Sequence, residues 1–413
     1  MIDAANMEVL RELAGRYSEI AHLDIQKQRL ERYARSNDLE VVRPVVLIDE
    51  VPWGEIRDDA LKCVCVPELQ WLEGAMRRAL YQWEHFQVDT VIPPVFRVGK
   101  RSRSTGIGID VQEVCVQGDT GAYISSHRYS DQLATDADLD KLHPPEIAYD
   151  RDATEAAMEQ ATAVLDGLME VELHGHAVSY HIWDMISVLR GVDALLMDLA
   201  GRPDFMHRTL ERFVEIAEAQ FRQYEDLGLL DPDQILLHCT PACTRDLPPV
   251  DPSEKASRRH VWGRCSAQIF SAVSPAMHDE FDLAYNQRLF GDCGLLYYGC
   301  CEPLDMKVDI LRKRFSNLRK VAITPWADAA KAAESIGPDY VLGARPNPAA
   351  VAHTEFGAEP VAKEISRYCE VCLANRTPLE FVLKDISTIA NDPQNLTLWA
   401  ATVNSVVDRY YGE

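Results

Sequence analysis

The amino-acid sequence predicts an α/β fold in which eight parallel strands alternate with helices, a (β/α)8 TIM barrel. Short apolar runs, often β-branched and bounded by Pro, Gly or Asp, recur along the chain, and most segments between them have helical spacing. With 413 residues, 47% of them hydrophobic, the chain is also long enough to bury a large core. The eight candidate strands are residues 45–48, 91–96, 171–173, 235–237, 294–298, 321–323, 340–342 and 379–383.

Composition predicts what surrounds these strands. The first forty or so residues, rich in Leu, Glu and Arg, indicate a helical extension over 1–40 that precedes a single barrel domain over 41–413. Residues 99–150 carry Ser, Thr, Gly and Asp throughout, and we interpret them as a long insertion after the second strand. Long loops on this fold often cover the active site.

Several helices have start signals of the expected kind. Asp204 precedes a long amphipathic stretch, and Asp328 is a candidate N-cap for residues 329–336, which Gly-Pro ends. Asn391 comes shortly before the last predicted helix, residues 394–410. These signals place helices after the third, sixth and eighth candidate strands.

The net charge of −23 disfavours nucleic acid as a partner, since affinity for a phosphate backbone comes largely from Lys and Arg. No apolar stretch approaches the roughly 20 residues needed to span a bilayer, and the first residues lack the layout of a signal peptide. We therefore expect a cytoplasmic protein without a membrane partner. Its eleven cysteines are too dilute for a disulfide scaffold and should be thiols, ligands or packing residues.

Metal-ligating residues follow two neighbouring candidate strands. His238 comes directly after the fourth, and Cys300, Cys301 and Glu302 follow the fifth. Active sites of such barrels form at the carboxyl ends of the strands, and imidazole, thiolate and carboxylate are ligands of catalytic Zn²⁺. The sequence therefore predicts a metal site at this edge, against the alternative of two reduced cysteines that pack as small hydrophobic residues.

Other histidines and cysteines admit two interpretations each. His174 and His176 follow the third candidate strand as a ligand pair or as hydrogen-bonded structure. Cys239 and Cys243 resemble half of a zinc knuckle, but the Cys-x-x-Cys pair that would complete it lies in a predicted helix.

Three stretches, residues 191–229, 274–281 and 294–303, resemble the uroporphyrinogen decarboxylase superfamily, and a looser resemblance extends from about residue 40 to the C-terminus. That superfamily has the same barrel. The resemblance implies one of two activities: metal-free porphyrinogen decarboxylation, or zinc-dependent methyl transfer to or from a corrinoid protein.

The decarboxylase branch is disfavoured by the position of its signature. Residues 14–17 look similar to its Arg-x-x-Gly-Arg-Tyr motif, but they lie in a helical segment well before the first strand. A metal-free decarboxylase of a porphyrinogen-like or other polycarboxylate stays an alternative, with a mouth lined by Arg97, Arg101 and Arg345. A non-catalytic ligand-binding barrel with inert cysteines is a second alternative.

The zinc methyltransferases have His-x-Cys after the fifth strand and another Cys near the last strand. Here only Cys300 matches directly, and Lys384 and Asp385 stand where the second Cys is expected. The resemblance therefore implies a substituted site, and the zinc ligands we expect are His238, Cys300, Cys301 and Glu302.

The same resemblance implies a reaction. A methyl group would pass from a small O- or N-methylated compound to the Co(I) of a corrinoid on a partner protein, with Zn²⁺ polarising the substrate heteroatom. We expect Asp385 and Asp328 to be acid/base or orienting groups and Trp326 to be a pocket wall. By family analogy we also expect a homodimer.

Overall fold

The computed structural model describes residues 2–116 and 126–412. The helices are α1 Ala4–Ala21, α2 Asp24–Asn37, α3 Gln70–His85, α4 Asp136–Leu139, α5 Arg151–Leu165, α6 Ile182–Arg190, α7 Val192–Gly201, α8 Pro203–Leu227, α9 Pro275–His278, α10 Ala284–Phe290, α11 Val308–Arg314, α12 Ala329–Ile336, α13 Ala358–Asn375 and α14 Gln394–Tyr411. The strands are β1 Val45–Ile48, β2 Val95–Gly99, β3 Ser102–Ser104, β4 Glu113–Val116, β5 Ser126–Tyr129, β6 Ile147–Tyr149, β7 Glu170–His174, β8 Val178–Ser179, β9 Leu236–Leu237, β10 Thr240–Pro241, β11 Trp262–Cys265, β12 Leu295–Tyr298, β13 Leu318–Ile323, β14 Val341–Ala344 and β15 Leu379–Leu383.

A parallel sheet of seven strands organises the molecule, in the order β1-β15-β14-β13-β12-β11-β8. Strands β2 and β7 form a separate parallel pair. The α/β class and the parallel sheet agree with the sequence-based prediction. Within residues 2–116 and 126–412, however, hydrogen bonds do not close the sheet into a barrel, and β1 and β8 are its two edges.

The seven-stranded sheet is strongly curved. Lys384 follows β15 and Cys300 follows β12, with β13 and β14 between these two strands. In a flat sheet, with strands about 4.8 Å apart, the two positions would be roughly 14 Å apart. Lys384 Nζ nevertheless donates a hydrogen bond to Cys300 Sγ at 3.1 Å. The carboxyl ends of the strands therefore surround a common space.

Alternating residues line the two faces of this sheet, as the period of a strand requires. On the convex face, residues such as Phe381 and Leu383 join the main hydrophobic core with the flanking helices. On the concave face lie smaller apolar clusters and buried charged side chains: Arg264, Lys320, Arg345, Glu380 and Lys384. The buried charges of the sheet thus face the enclosed side.

The predicted fourth strand differs from the structure. Residues 235–237 contribute β9 to an antiparallel hairpin with β10, and the place beside β12 belongs to β11. The run 235–237 is apolar because the hairpin packs on the concave face, where Leu237 joins a cluster with Trp262. Strand β11, Trp-Gly-Arg-Cys, lacks the apolar pattern of the other strands because one of its inward side chains is Arg264.

The pair β2–β7 has its own hydrophobic cluster, built with α1, α3 and α5. Helices α1 and α2 occupy the predicted helical extension, and α14 begins at Gln394 as predicted. The predicted insertion over 99–150 holds β3 to β6 and α4, and residues 117–125 of it lie outside the described part of the chain. Among the helices that the structure describes, none is both long and apolar enough to cross a bilayer.

Candidate functional site

The site begins where two adjacent strands end together. Ile48 of β1 is in register with Leu383 of β15, which places Asp49 and Glu50 beside Lys384 and Asp385. The backbone N–H of Asp385 donates to Glu50 Oε2 at 2.8 Å. Acidic and basic side chains from both strand ends are thereby fixed at the rim of the concave face.

Three residues at this rim have a strained backbone conformation. Glu50, His238 and Asp385 have φ angles of 53°, 55° and 56°, in the left-handed region that side chains other than glycine rarely adopt. Such conformations cost on the order of 1–3 kcal/mol each and cluster at functional sites. Three strained residues around one space are therefore a structural indication of function.

The loop of the β9–β10 hairpin brings a histidine and a cysteine to Asp49. Ligand atoms of Asp49, His238 and Cys239 all lie within 4.8 Å of one another. In a tetrahedral zinc site with bonds of about 2.0–2.3 Å, ligand atoms are roughly 3.3–3.8 Å apart. Small side-chain rotations would bring these three to that spacing and leave a fourth position open. The residues present therefore fit a catalytic zinc ion.

The electrostatics of this group, named here the mouth cluster, also suit a metal. Burial, together with the charges of Arg264 and Lys384, lowers the pKa of His238 to about 3, so its imidazole is neutral and its lone pair free for a metal. Burial raises the pKa of the Cys239 thiol. Binding of a metal would then displace the thiol proton, as usual for cysteine ligands.

A second constellation, the thiol pair, lies across the concave face. Cys300 and Cys301 have sulfur atoms 3.5 Å apart, and Lys384 Nζ donates to Cys300 Sγ at 3.1 Å. Cys301 Sγ also lies 3.2 Å from Asp385 Oδ2. Lys384 Nζ is also 3.3 Å from Asp385 Oδ1. The two thiols, the ammonium and the carboxylate thus form one connected network.

The two thiols of this pair differ in acidity. The hydrogen bond from Cys301 and then the Lys384 ammonium lower the pKa of Cys300 to about 7. The neighbouring thiolate and burial raise the pKa of Cys301. The adjacent thiolate also raises the pKa of Lys384, despite its burial. At neutral pH, Cys300 is therefore the nucleophilic sulfur of the pair.

Glu302 has different partners. Its side chain is fully buried, and its two carboxylate oxygens accept hydrogen bonds from the backbone N–H groups of Ala267 at 2.8 Å and Cys300 at 2.9 Å. These bonds join the loops that follow β11 and β12. In this arrangement Glu302 fixes the backbone that carries Cys300.

Asp328 and Trp326 follow β13 and have other contacts. Asp328 caps α12 by accepting from the backbone N–H of Ala330, and it lies 3.1 Å from the guanidinium of Arg367. Trp326 is 74% exposed. Of the sequence-based candidates, the structure brings together His238, Cys300, Cys301 and Asp385 around the concave face.

A buried network holds the hairpin that carries His238. Lys320 Nζ donates to Glu380 Oε2 at 2.6 Å and to Thr240 Oγ1 at 2.8 Å, and the Thr240 hydroxyl donates to Glu380 Oε1. All three residues are at most 1% exposed. Gly343 makes room for them, since a Cβ there would lie 3.1 Å from Glu380 Oε1. The network anchors the hairpin to β13 and β15.

A cleft of about 560 Å³ opens beside the mouth cluster. Asp49, Glu50 and His238 line one side, and Trp53 and Arg78 line another. Cavities of a few hundred Å³ are typical of sites for small organic molecules. The cleft therefore gives a small substrate access to His238.

Another group of ligating side chains, the hairpin cluster, lies on the β4–β5 hairpin. His127 Nδ1 is 2.9 Å from Glu113 Oε2 and 3.6 Å from Cys115 Sγ, and all three residues are exposed. Cys115 and His127 are direct cross-strand neighbours. The hairpin cluster has the same donor types as the mouth cluster in a solvent-exposed setting.

The zinc ligand set expected from the sequence lacks two residues of the mouth cluster, Asp49 and Cys239, although both follow predicted strands. Asp49 follows a strand that was predicted correctly, so only its pairing with a distant hairpin was unforeseen. In the sequence, Cys239 resembles half of a zinc knuckle together with Cys243. Its position directly after His238 is the feature that connects it to the site. A His-Cys dipeptide at a chain reversal is the signal that could have found it.

Comparisons with known proteins give little beyond this geometry. No family model and no curated protein matches the chain. Among solved structures, it is similar to a methyltransferase from Methanosarcina mazei, with 11% sequence identity and a TM-score of 0.48, over 93% of this chain and 99% of that chain. A likeness at this level carries no functional assignment.

Proposed function

We propose that this protein is a zinc-dependent methyltransferase that moves a methyl group from a small O- or N-methylated compound to a corrinoid on a partner protein. The observation that carries the proposal is the convergence of Asp49, His238 and Cys239 at the carboxyl edge of the sheet, beside an open cleft. We infer the corrinoid as methyl acceptor from the resemblance to the uroporphyrinogen decarboxylase superfamily.

Three protein ligands and one open position define the role of the metal. Bound there, zinc would act as a Lewis acid on the heteroatom that carries the methyl group. The proposed ligand set retains His238 from the sequence-based set and adds Asp49 and Cys239. Cys300 and Cys301 then belong to the neighbouring thiol pair, and Glu302 to the backbone beneath it.

The reaction needs a proton as well as a methyl acceptor. When the methyl group leaves for Co(I), the C–O or C–N bond breaks with its electron pair on the heteroatom, which must be protonated to give the alcohol or amine. Glu50 is suited to this role because burial raises its carboxyl pKa, and its Oε1 lies 3.6 Å from His238 Nε2. Asp385, whose backbone N–H donates to Glu50, orients it.

The metal-free decarboxylase is less well supported. Such an enzyme needs free arginines at the mouth, yet Arg97 Nη2 is bonded to Asp231 Oδ1 at 2.8 Å. Arg101 packs over the Trp71 ring at 5.9 Å, and Arg345 lies buried with Nη2 bonded to Tyr297 Oη at 2.5 Å. The three arginines expected to line a polycarboxylate site are thus held by contacts of their own.

The test is a methyl-transfer assay with Co(I) cobalamin as acceptor. Zinc-loaded protein is mixed with O- and N-methylated compounds, and formation of methylcobalamin is followed by its absorbance. We expect transfer from at least one donor class and its loss in His238→Gln, while Asp328→Asn, at a residue that caps α12 and pairs with Arg367, retains it. Transfer that persists unchanged in His238→Gln would overturn the proposal.

A further inference from the structure

Arg264 is a buried cation whose charge acts on the Asp184 carboxyl without a direct ion pair. It lies on the concave face of β11 and is 6% exposed. Its Nη1 donates to His181 Nε2 at 2.6 Å, and its Nε has no hydrogen-bond partner. Within residues 2–116 and 126–412, no carboxylate forms an ion pair with it. An unpaired buried charge is costly, and native proteins pair such charges.

The histidine beside Arg264 does not supply the missing charge. Burial and the guanidinium itself lower the pKa of His181 to about 3, so the imidazole is neutral at physiological pH. With Nε2 accepting from Arg264, Nδ1 carries the hydrogen and donates to Ser266 Oγ at 2.9 Å. His181 itself is partly exposed, so its ring connects the buried guanidinium to the surface.

The surrounding charges increase the imbalance. Lys320 and Arg345 share one carboxylate, that of Glu380, at 2.6 Å and 3.6 Å. Arg345 also has an Nε without a hydrogen-bond partner. The guanidinium carbons of Arg264 and Arg345 lie 5.8 Å and 5.7 Å from the centre of the Tyr297 ring. Two guanidinium groups thus lie near one aromatic ring, and each has an Nε–H without a hydrogen-bond partner.

We propose that Arg264, with Arg345 behind it, binds the carboxylate of a small methylated carboxylic acid, and that this acid is the methyl donor. The inference rests on the proposed methyl transfer for the donor role, whereas carboxylate binding stands independently of it. A guanidinium matches a planar carboxylate with two parallel N–H donors. One such anchor fixes the donor while its methyl end faces the mouth cluster.

The anion site is tested on the full chain without corrinoid, with zinc content measured in every sample. Thermal unfolding is followed with acetate, acetamide and inorganic phosphate at matched ionic strength. Acetate should raise the unfolding temperature of the wild type, and acetamide, its uncharged counterpart, should not. Arg264→Met should lose the response to acetate and, without ligand, be at least as stable as the wild type, since it removes an unpaired buried charge.

Affinity gives the second readout. The dissociation constant of methoxyacetate, measured by calorimetry, should rise at least about tenfold in Arg264→Met, the loss expected for a hydrogen bond to a charged group. Arg264→Lys should recover part of it. A wild type that responds to none of the carboxylates, with Arg264→Met destabilised, would make Arg264 a structural residue and overturn the inference. A response to phosphate alone would overturn the carboxylate assignment.

The two proposals fail separately. Acetate binding that depends on Arg264, without methyl transfer from any donor, would leave the anion site standing and remove the methyltransferase. Methyl transfer restricted to uncharged donors would support the enzyme and overturn the carboxylic acid as its substrate.

Discussion

The mouth cluster and the hairpin cluster offer a metal the same donors, one carboxylate, one imidazole and one thiol, in opposite settings. In the mouth cluster Cys239 is 2% exposed and His238 stands in a strained backbone conformation anchored by a buried network. In the hairpin cluster Glu113, Cys115 and His127 are all exposed.

The difference lies in how much ordering a bound ion would require. Each exposed side chain that a ligand immobilises costs about 0.5–1.5 kcal/mol. At the mouth, folding has already supplied that order, because Thr240 follows Cys239 directly and is held by Glu380 and Lys320. Donor identity alone therefore does not define a site, and preorganisation by surrounding structure does.

The largest expected effect is on stability. Lys320→Met removes one partner of the buried network and leaves the Glu380 carboxylate poorly compensated, which should lower the free energy of unfolding by about 3–5 kcal/mol. Glu113→Gln in the hairpin cluster should change it by no more than about 0.5 kcal/mol. Urea denaturation of the two variants measures both values. Equal values would show that the mouth cluster is no better supported than the hairpin cluster.

A smaller effect concerns thiol reactivity. Because the pKa of Cys300 is about 7, its alkylation by iodoacetamide should reach half its maximal rate near that pH. Cys301→Ala removes the first cause of this acidity and should move the midpoint upward, and a midpoint one pH unit higher would slow alkylation at lower pH about tenfold. Peptide mass spectrometry follows the modification, with Cys115 as the exposed internal reference. An unchanged midpoint would contradict the role of Cys301.

A third effect is the dependence of stability on pH. The folded-state pKa of His181, about 3, lies below its usual value near 6.5, so in that interval the unfolded chain binds the extra proton. The free energy of unfolding should therefore fall as pH decreases from 6.5 toward 3. His181→Gln should flatten this fall by up to about 1.4 kcal/mol per pH unit. Parallel curves for the two proteins would contradict the lowered pKa.

The sequence predicted the α/β class and most strands of the seven-stranded sheet, because these strands are buried on both faces and form continuous apolar segments in the sequence. It failed at β11, where the inward Arg264 interrupts the run, and at 235–237, which is apolar because the hairpin packs inside the curved sheet. Both errors have one origin. The concave face carries buried charges, and strand patterns do not show what fills a curved sheet.

The candidate site was predictable only in part. The expected fold places active-site residues at the carboxyl ends of the strands, and His238 is a candidate for that reason. Its pairing with Asp49 was not predictable, because the two positions are 189 apart in the sequence and only the β9–β10 hairpin brings them together. The hydrogen bonds that Glu302 accepts from backbone N–H groups were equally unpredictable, since the sequence does not show whether a buried carboxylate binds a metal or the backbone.

Metal content tests the central claim most directly. The protein is purified without a metal-affinity tag, reconstituted with zinc, desalted and analysed for zinc beside Cys239→Ser, Cys300→Ser and Cys115→Ser. The mouth cluster predicts one equivalent of zinc in the wild type, in Cys300→Ser and in Cys115→Ser, and its loss in Cys239→Ser. Zinc that persists in Cys239→Ser but is lost in Cys300→Ser, or a wild type that retains none, would contradict it.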